Sequence, residues 1–120
     1  MPSRKAAARE LAGLLGVLSH PDRIQIIEEL RQEEKDVGCL RDLLGISASR
    51  VSQHLGLLKA HRLLEERRDG RHVYYRLTRS RLAHWLLAGL EFLQDELATS
   101  NERQQAIETA RLMWAEGTKP

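Results

Sequence analysis

Residues 37–77 read VGCLRDLLGISASRVSQHLGLLKAHRLLEERRDGRHVYYRL, and they contain the clearest signals for the fold class. Its first half predicts two short helices, about 37–44 and 47–60, with a tight connection between them. Gly45 suits this connection because glycine is favoured just past a helix end. Ser47 is a good N-cap for the second helix, since its hydroxyl accepts a hydrogen bond from an otherwise free backbone N–H.

The second half predicts two short strands, about 64–68 and 72–77, on either side of Asp69-Gly70. This dipeptide is a strong hairpin signal because both turn positions favour a positive φ. The sequence therefore predicts a helix-turn-helix over 37–60 and a two-stranded wing over 64–77. The expected fold class is mainly α with a small β-hairpin, a winged helix-turn-helix of five to six helices.

Helical periodicity flanks this unit on both sides. A first helix is expected over 4–18, and a second begins at Pro21 with Ile24, Ile27 and Leu30 on its buried side. Beyond residue 82 the pattern turns helical again to about 115. Thr99 and Glu102 have capping-box spacing and predict the start of a last helix within that region.

Composition places the chain among ordinary globular proteins. Its 120 residues suit one domain, 42% of them are hydrophobic, and no apolar run is long enough to cross a bilayer. The first ten residues lack the apolar core of a secretory signal, so we expect a cytoplasmic protein with no membrane partner. Residues 41–81 hold ten lysines and arginines against four acidic residues. This basic block suggests a polyanionic partner, although on charge alone a solvated charged face accounts for it equally well.

The helix over 47–60 has one apolar stripe, formed by Val51, Leu55 and Leu58. Its opposite side is small and neutral, and a helix of this kind fits the major groove of DNA. Gln53 is the best candidate for a base contact, because its amide donates to and accepts from adenine. His54 lies about 60° from the stripe and is expected to pack rather than to read bases. The predicted DNA-binding residues are Ser47, Ser49, Arg50, Ser52, Gln53, Arg67, Arg68, Arg71 and His72.

The stretches LGVLSHPDRIQIIEEL and LLGISASRVSQHLGLLKAHRLLEERRDGRHVYYRL resemble the ArsR/SmtB family of bacterial winged-helix repressors. The resemblance covers roughly Leu14 to Leu77. The Val-Ser-x-His-Leu core from Val51 and the Gly-Arg-x-Val-Tyr-Tyr strand from Gly70 are specific when found together. The resemblance implies a homodimer that binds operator DNA and releases it when an effector arrives.

Leucines recur at intervals of three and four in both terminal helical regions. Such a seam either covers the domain's own core or packs on another helix. Because a small winged domain has little left to bury, we favour a dimer interface. The predicted interface residues are Leu11, Leu15, Leu86, Leu90, Leu93 and Leu97.

Relatives in this family often sense metals, but the usual ligands are replaced here. Asp36 takes the place of the leading cysteine of one site and Cys39 falls one position past the second thiol. At the other site Arg79, Arg81 and Phe92 replace the ligands. We therefore predict no metal site and no cofactor, and the effector stays unidentified. Cys39 is either a redox switch or, more commonly for a lone cysteine, a buried structural thiol.

Two other function classes are compatible with parts of the sequence. Ser19, His20 and Asp22 have the residue types of a catalytic triad, but neighbouring positions at a helix start do not build a relay, so we expect no enzyme. A winged-helix module that binds other proteins is the stronger alternative. Such a module has no need of the basic block in 41–81.

Overall fold

The computed structural model describes residues 2–96 and 101–117, which form six helices and one three-stranded antiparallel sheet. The winged helix-turn-helix architecture is as predicted. The helices are α1 Pro2–Leu18, α2 Pro21–Glu29, α3 Val37–Leu44, α4 Ala48–Ala60, α5 Arg81–Glu96 and α6 Asn101–Gly117. The strands are β1 Lys35–Asp36, β2 Leu64–Asp69 and β3 His72–Leu77.

The third strand is absent from the sequence prediction, which gave the wing two strands. In the sheet order β1-β3-β2, Lys35 pairs with Tyr75 and Asp36 with Tyr74. Two charged residues carry no alternating apolar pattern, so no local signal marks β1. The free edge of β3 supplies its hydrogen-bond partners, and the wing is thereby tied to the residue just before α3.

The helix boundaries within 37–60 follow their capping residues. Gly45 has φ 69° and ψ 29°, the left-handed conformation that ends α3 as predicted. Ser47 caps α4, and its Oγ accepts from the Arg50 N–H at 3.1 Å. Asp36 caps α3 in the same way, with Oδ1 accepting from the Cys39 N–H at 2.8 Å. Local chemistry thus sets where α3 ends and where α4 begins.

The hairpin turn lies one residue later than predicted. Asp69 still pairs with His72, so the two turn residues are Gly70 and Arg71 rather than Asp69-Gly70. Gly70 has φ 62°, and Arg71 is not among the residues with positive φ. A positive φ at the first turn position alone is the type II′ pattern, which requires glycine only there. The register therefore places the Arg71 side chain at the tip of the wing.

The core joins α2, α3 and α4. Ile26, Ile27, Leu40 and the α4 stripe are fully buried. Fully burying a side chain of this size contributes roughly 1.5–3 kcal/mol, so these few residues dominate the stability of the motif. On α2 the prediction was wrong in one respect: Ile24 is only half-buried, and Ile26 takes its place in the core.

Helices α5 and α6 form a helical pair beside this core. α5 contacts α2 as well as α6. Near the end of α6, the Met113 carbonyl accepts from Nη2 of Arg31, two residues past α2, at 3.5 Å. The predicted capping residue Thr99 lies outside the described residues. None of the helices in the described ranges combines the length and apolar character needed to cross a membrane.

Candidate nucleic-acid interface

One side of α4 is turned to solvent. Val51, Leu55 and Leu58 are buried on its inner side, as predicted. The 100° step of an α-helix therefore presents the opposite side outward. The predicted base- and phosphate-contacting residues of this segment are all exposed: Ser47, Ser49, Arg50, Ser52 and Gln53.

The exposed side of α4 has the chemistry of a groove-binding surface. The helix contains no Asp or Glu, so none of its own side chains repels phosphate. The Gln53 amide both donates and accepts, which matches the adenine edge in the major groove. At the start of the helix, backbone N–H groups beyond the one bound by Ser47 are free to attract an anion.

His54 fastens α4 to the start of α2 instead of pointing outward, which confirms the prediction that it packs. Its Nδ1 lies 3.4 Å from Arg23 Nη1, and its Nε2 lies 3.6 Å from Asp22 Oδ2. Its ring centroid is 4.5 Å from that of His20. Burial lowers the pKa of His54, and the nearby His20 and Arg23 lower it further.

The same contact brings together three residues with metal-ligating atoms. One ligand atom each from His20, Asp22 and His54 lies within 4.8 Å of the others. Two imidazoles and a carboxylate are a zinc-type set, but their hydrogen bonds oppose it. His20 Nδ1 accepts from the Asp22 N–H at 3.1 Å, and His54 Nδ1 faces the Arg23 guanidinium. An imidazole that accepts at Nδ1 keeps its proton on Nε2, so a cation at this set would have to displace the present hydrogen bonds.

Some basic side chains of the wing are held by carboxylates. Arg67 Nε donates to both carboxylate oxygens of Glu34, at 2.9 and 3.1 Å, and this contact lowers the pKa of Glu34. The Arg67 guanidinium carbon also lies 4.9 Å from the ring centroid of Tyr74. Arg76 donates to Glu65 across the strands at 2.9 Å. These cations hold the wing together as well as adding charge.

The tip of the wing is different. Within residues 2–96 and 101–117, Arg68 and Arg71 make no side-chain hydrogen bond or ion pair. His72 is 67% exposed, with Nδ1 4.0 Å from Asp36 Oδ2. Arg68 and Arg71 are therefore the wing cations available to a polyanion, whereas Arg67 shares its charge with Glu34.

Comparison with known proteins identifies the family that has this geometry. Residues 20–66 match the family described as "bacterial regulatory protein, arsR family". The biofilm growth-associated repressor of Xylella fastidiosa is 40% identical over 76 residues, which cover 63% of this chain and 67% of that protein. The chain belongs to the arsR family. This is a family of regulatory proteins, and its members here are named as repressors rather than enzymes.

Solved structures of two similar proteins agree with the fold. NolR from Sinorhizobium fredii is 35% identical with a TM-score of 0.69, covering 77% of this chain and 92% of that one. A homodimeric winged helix-turn-helix DNA-binding domain from Mycobacterium bovis is 28% identical with a TM-score of 0.68, covering 82% and 92%. The chain spans 61% to 67% of the length of the first curated relatives it matches.

The predicted dimer residues of this arsR-family chain lie on α1 and α5. Leu11 and Leu15 are 49% and 48% exposed and Leu93 is 37% exposed, which is high for leucine in a single protomer. Leu86 and Leu90 are half-buried. The sixth predicted residue, Leu97, lies outside the described residues. The large exposed apolar side chains also include Trp85, Phe92, Leu112 and Met113.

Cys39 is exposed, so its interpretation as a buried structural thiol is wrong. It lies in the first turn of α3, where its N–H donates to Asp36, and the prediction overlooked that this turn faces solvent. Asp36, at the position of the family's leading cysteine, already uses its carboxylate as the helix cap. Arg79, Arg81 and Phe92 are exposed at the positions of the second family site. Guanidinium and phenyl groups do not ligate metals.

The residues with triad-like types do not form a relay. The Ser19 hydroxyl donates to the Gly16 carbonyl at 2.7 Å, and His20 Nδ1 accepts from a backbone N–H. Neither group activates the other, because a nucleophile needs its hydrogen bond to the base. Both side chains serve the junction between α1 and α2.

Proposed function

We propose that this chain is a homodimeric, sequence-specific transcriptional repressor that leaves its operator when an effector binds. Helix α4 enters the major groove, and the wing follows the neighbouring sugar–phosphate backbone. Residues 1–120 act as one winged domain in the cytoplasm, and 4–18 and 82–115 supply the dimer contacts. The repressor name of the Xylella fastidiosa relative supports the direction of regulation.

One observation carries the DNA-binding part of the proposal. The exposed, acid-free side of α4 belongs to the same motif as a wing whose tip arginines make no hydrogen bond or ion pair with the other described side chains. Gln53 reads adenine, and Arg68 and Arg71 bind phosphate. Arg67 contributes less because Glu34 balances its charge. The remaining proposed contacts to bases or phosphates come from Ser47, Ser49, Arg50, Ser52 and His72.

Dimerisation gives the operator its symmetry. The exposed leucines of α1 and α5 lose their contact with water when two protomers pack together, which is favourable. The homodimeric Mycobacterium bovis domain supports this assembly. The two copies of α4, the proposed DNA-recognition helix, are related by a two-fold axis in such a dimer. They therefore require an operator with two-fold symmetry.

Selection of bound fragments from a random DNA pool tests the proposal directly. We expect a two-fold symmetric site with half-sites about one helical turn apart, roughly 10 base pairs, or a multiple of it. Random DNA of the same length should bind more weakly, and this binding should fall steeply with salt because phosphate contacts release counterions.

The same measurement distinguishes the repressor from the alternative function, a winged-helix module that binds other proteins. A winged-helix module that binds proteins needs no affinity for DNA. No selected sequence, together with no salt-dependent binding to random DNA at low ionic strength, would support that module and exclude the repressor.

A further inference from the structure

A groove lies between α1 and α5, on the side of the molecule that carries the proposed dimer contacts. Its volume is about 670 Å³, within the range of small-molecule sites. Leu14, Leu63 and Leu82 form apolar walls, and Leu11 and Trp85 complete them. Burying an apolar body of ligand size against these walls is favourable.

Three arginines, Arg62, Arg79 and Arg81, line the same groove, and no acidic residue does. Across the described residues, none of the three side chains has a hydrogen bond or an ion pair. Thr78 adds a hydroxyl. Guanidinium groups are planar forks of donors that match a carboxylate, and they bind it more strongly than neutral groups do. An apolar groove with three unpaired guanidinium groups therefore lacks a complementary anion.

We propose that this groove binds a small amphipathic organic anion, a carboxylate with an apolar body, as the effector of the repressor. This inference rests on the proposed function for its regulatory meaning, but the binding site itself is independent of it. The apolar body lies against the leucines and Trp85, and the carboxylate is held by the arginines.

The position of the groove links it to DNA binding. Arg62 directly follows His61, the C-cap of α4. Its backbone has φ 61°, a conformation that residues other than glycine rarely adopt. A ligand held by Arg62 thus contacts the segment that ends the recognition helix. Leu11 belongs both to the groove and to the proposed dimer surface. Ligand binding is therefore also coupled to how the two protomers pack against each other.

Fluorescence titration of the full chain tests the site. The sequence has two tryptophans, so Trp114→Phe leaves Trp85 as the reporter inside the groove. The probes are decanoate, decylamine and decanol, which share one apolar body and differ in the head group, each used below its micelle threshold. We expect saturable binding of decanoate, about tenfold or more tighter than binding of decanol, and still weaker binding of decylamine.

Arginine variants locate the anion contact. Arg79→Gln with Arg81→Gln should weaken decanoate binding about tenfold or more and leave decanol binding unchanged. The matched control is Arg41→Gln with Arg76→Gln, which removes the same charge from exposed positions of α3 and β3 outside the groove and should bind decanoate normally. Equal binding of all three probes, or equal loss in both double variants, would overturn the proposal.

Two readouts separate this inference from the proposed function. Operator binding without decanoate tests the repressor alone, whereas operator release on adding decanoate tests the coupling. Normal operator binding with no decanoate binding refutes the effector site only. Decanoate binding without any DNA binding refutes the proposed repressor function and supports the proposed anion site. If sedimentation shows decanoate bound only to monomers, the partner protomer fills the groove and the effector site is refuted.

Discussion

Arg67 in β2 and Glu34 just before β1 are joined by a two-pronged ion pair, with Nε donating to both carboxylate oxygens at 2.9 and 3.1 Å. The pair spans 33 positions of the chain and links the wing to the segment that enters α3. Both side chains are partly exposed, so the pair contributes little to stability by itself. Its larger effect is on charge, because it leaves Arg68 and Arg71 as the wing's unpaired arginines.

Arg71→Gln should weaken operator and random DNA binding alike and reduce the slope of log affinity against log salt by about 1, because one phosphate contact is lost. Arg67→Gln should change the slope less, since Glu34 already balances that charge. Binding isotherms at several salt concentrations provide the measurement. A larger slope change for Arg67→Gln would show that DNA displaces Glu34 from Arg67.

Gln53→Ala should cost about 1–3 kcal/mol of operator affinity and leave random DNA binding nearly unchanged, since the amide contacts a base edge. Gln25→Ala, at an exposed position of α2, is the matched control and should affect neither. Competition between operator and random fragments measures both affinities. Equal losses on the two DNAs would remove Gln53 from base reading.

Leu15→Glu should convert the dimer to a monomer without unfolding the protomer, because Leu15 is 48% exposed within it. A charge buried at the interface without a partner costs several kcal/mol. Leu43→Glu is the control, since Leu43 is 46% exposed on α3, away from the proposed interface. Sedimentation velocity distinguishes the states, and a dimeric Leu15→Glu protein would place the interface elsewhere.

Acid should destabilise the protein through His54. Its pKa lies below 6.5 because of burial and the positive charges of His20, Arg23 and Arg50, which outweigh the carboxylate of Asp22. Well above 6.5 it is neutral in both the folded and the unfolded chain and contributes no pH dependence. As pH falls from there toward its folded pKa, the unfolded chain binds the proton more readily, so the free energy of unfolding decreases.

Urea unfolding at about pH 7.5 and about pH 5.5 measures this effect, since histidine titrates in that interval. His54→Gln cannot take up the proton, so its stability should decrease less between the two values than that of the parent. An equal decrease in both proteins would assign the acid sensitivity to other histidines.

Metals should not act as the effector. Zinc, nickel, cobalt and copper(I), titrated against the protein on its operator, should neither bind with micromolar affinity nor release DNA, because soft cations need several converging thiolates or free imidazoles. Cys39→Ser should behave like the parent. Tight zinc binding that is lost in His54→Gln would instead assign a metal site to His20, Asp22 and His54.

The sequence alone determines the helix-turn-helix and the exposed side of its second helix. Gly45 ends α3 and Ser47 begins α4 through hydrogen bonds and dihedral angles within four residues, and local signals of this kind are readable from sequence. The 100° step then orients Gln53 outward once Val51 and Leu55 are recognised as core. The candidate reading surface was therefore predictable residue by residue.

Tertiary structure decides which of the basic residues are free. The pairing of Arg67 with Glu34 and the contact of Arg23 with His54 join residues 33 and 31 positions apart, and no local pattern specifies such contacts. Strand β1 likewise exists only because β3 offers it an unpaired edge. The groove gathers Arg62, Arg79 and Arg81 around apolar walls that come from α1, from the segment after α4 and from α5. These features depend on long-range packing, because burial and charge pairing are set by which surfaces meet and not by spacing along the chain.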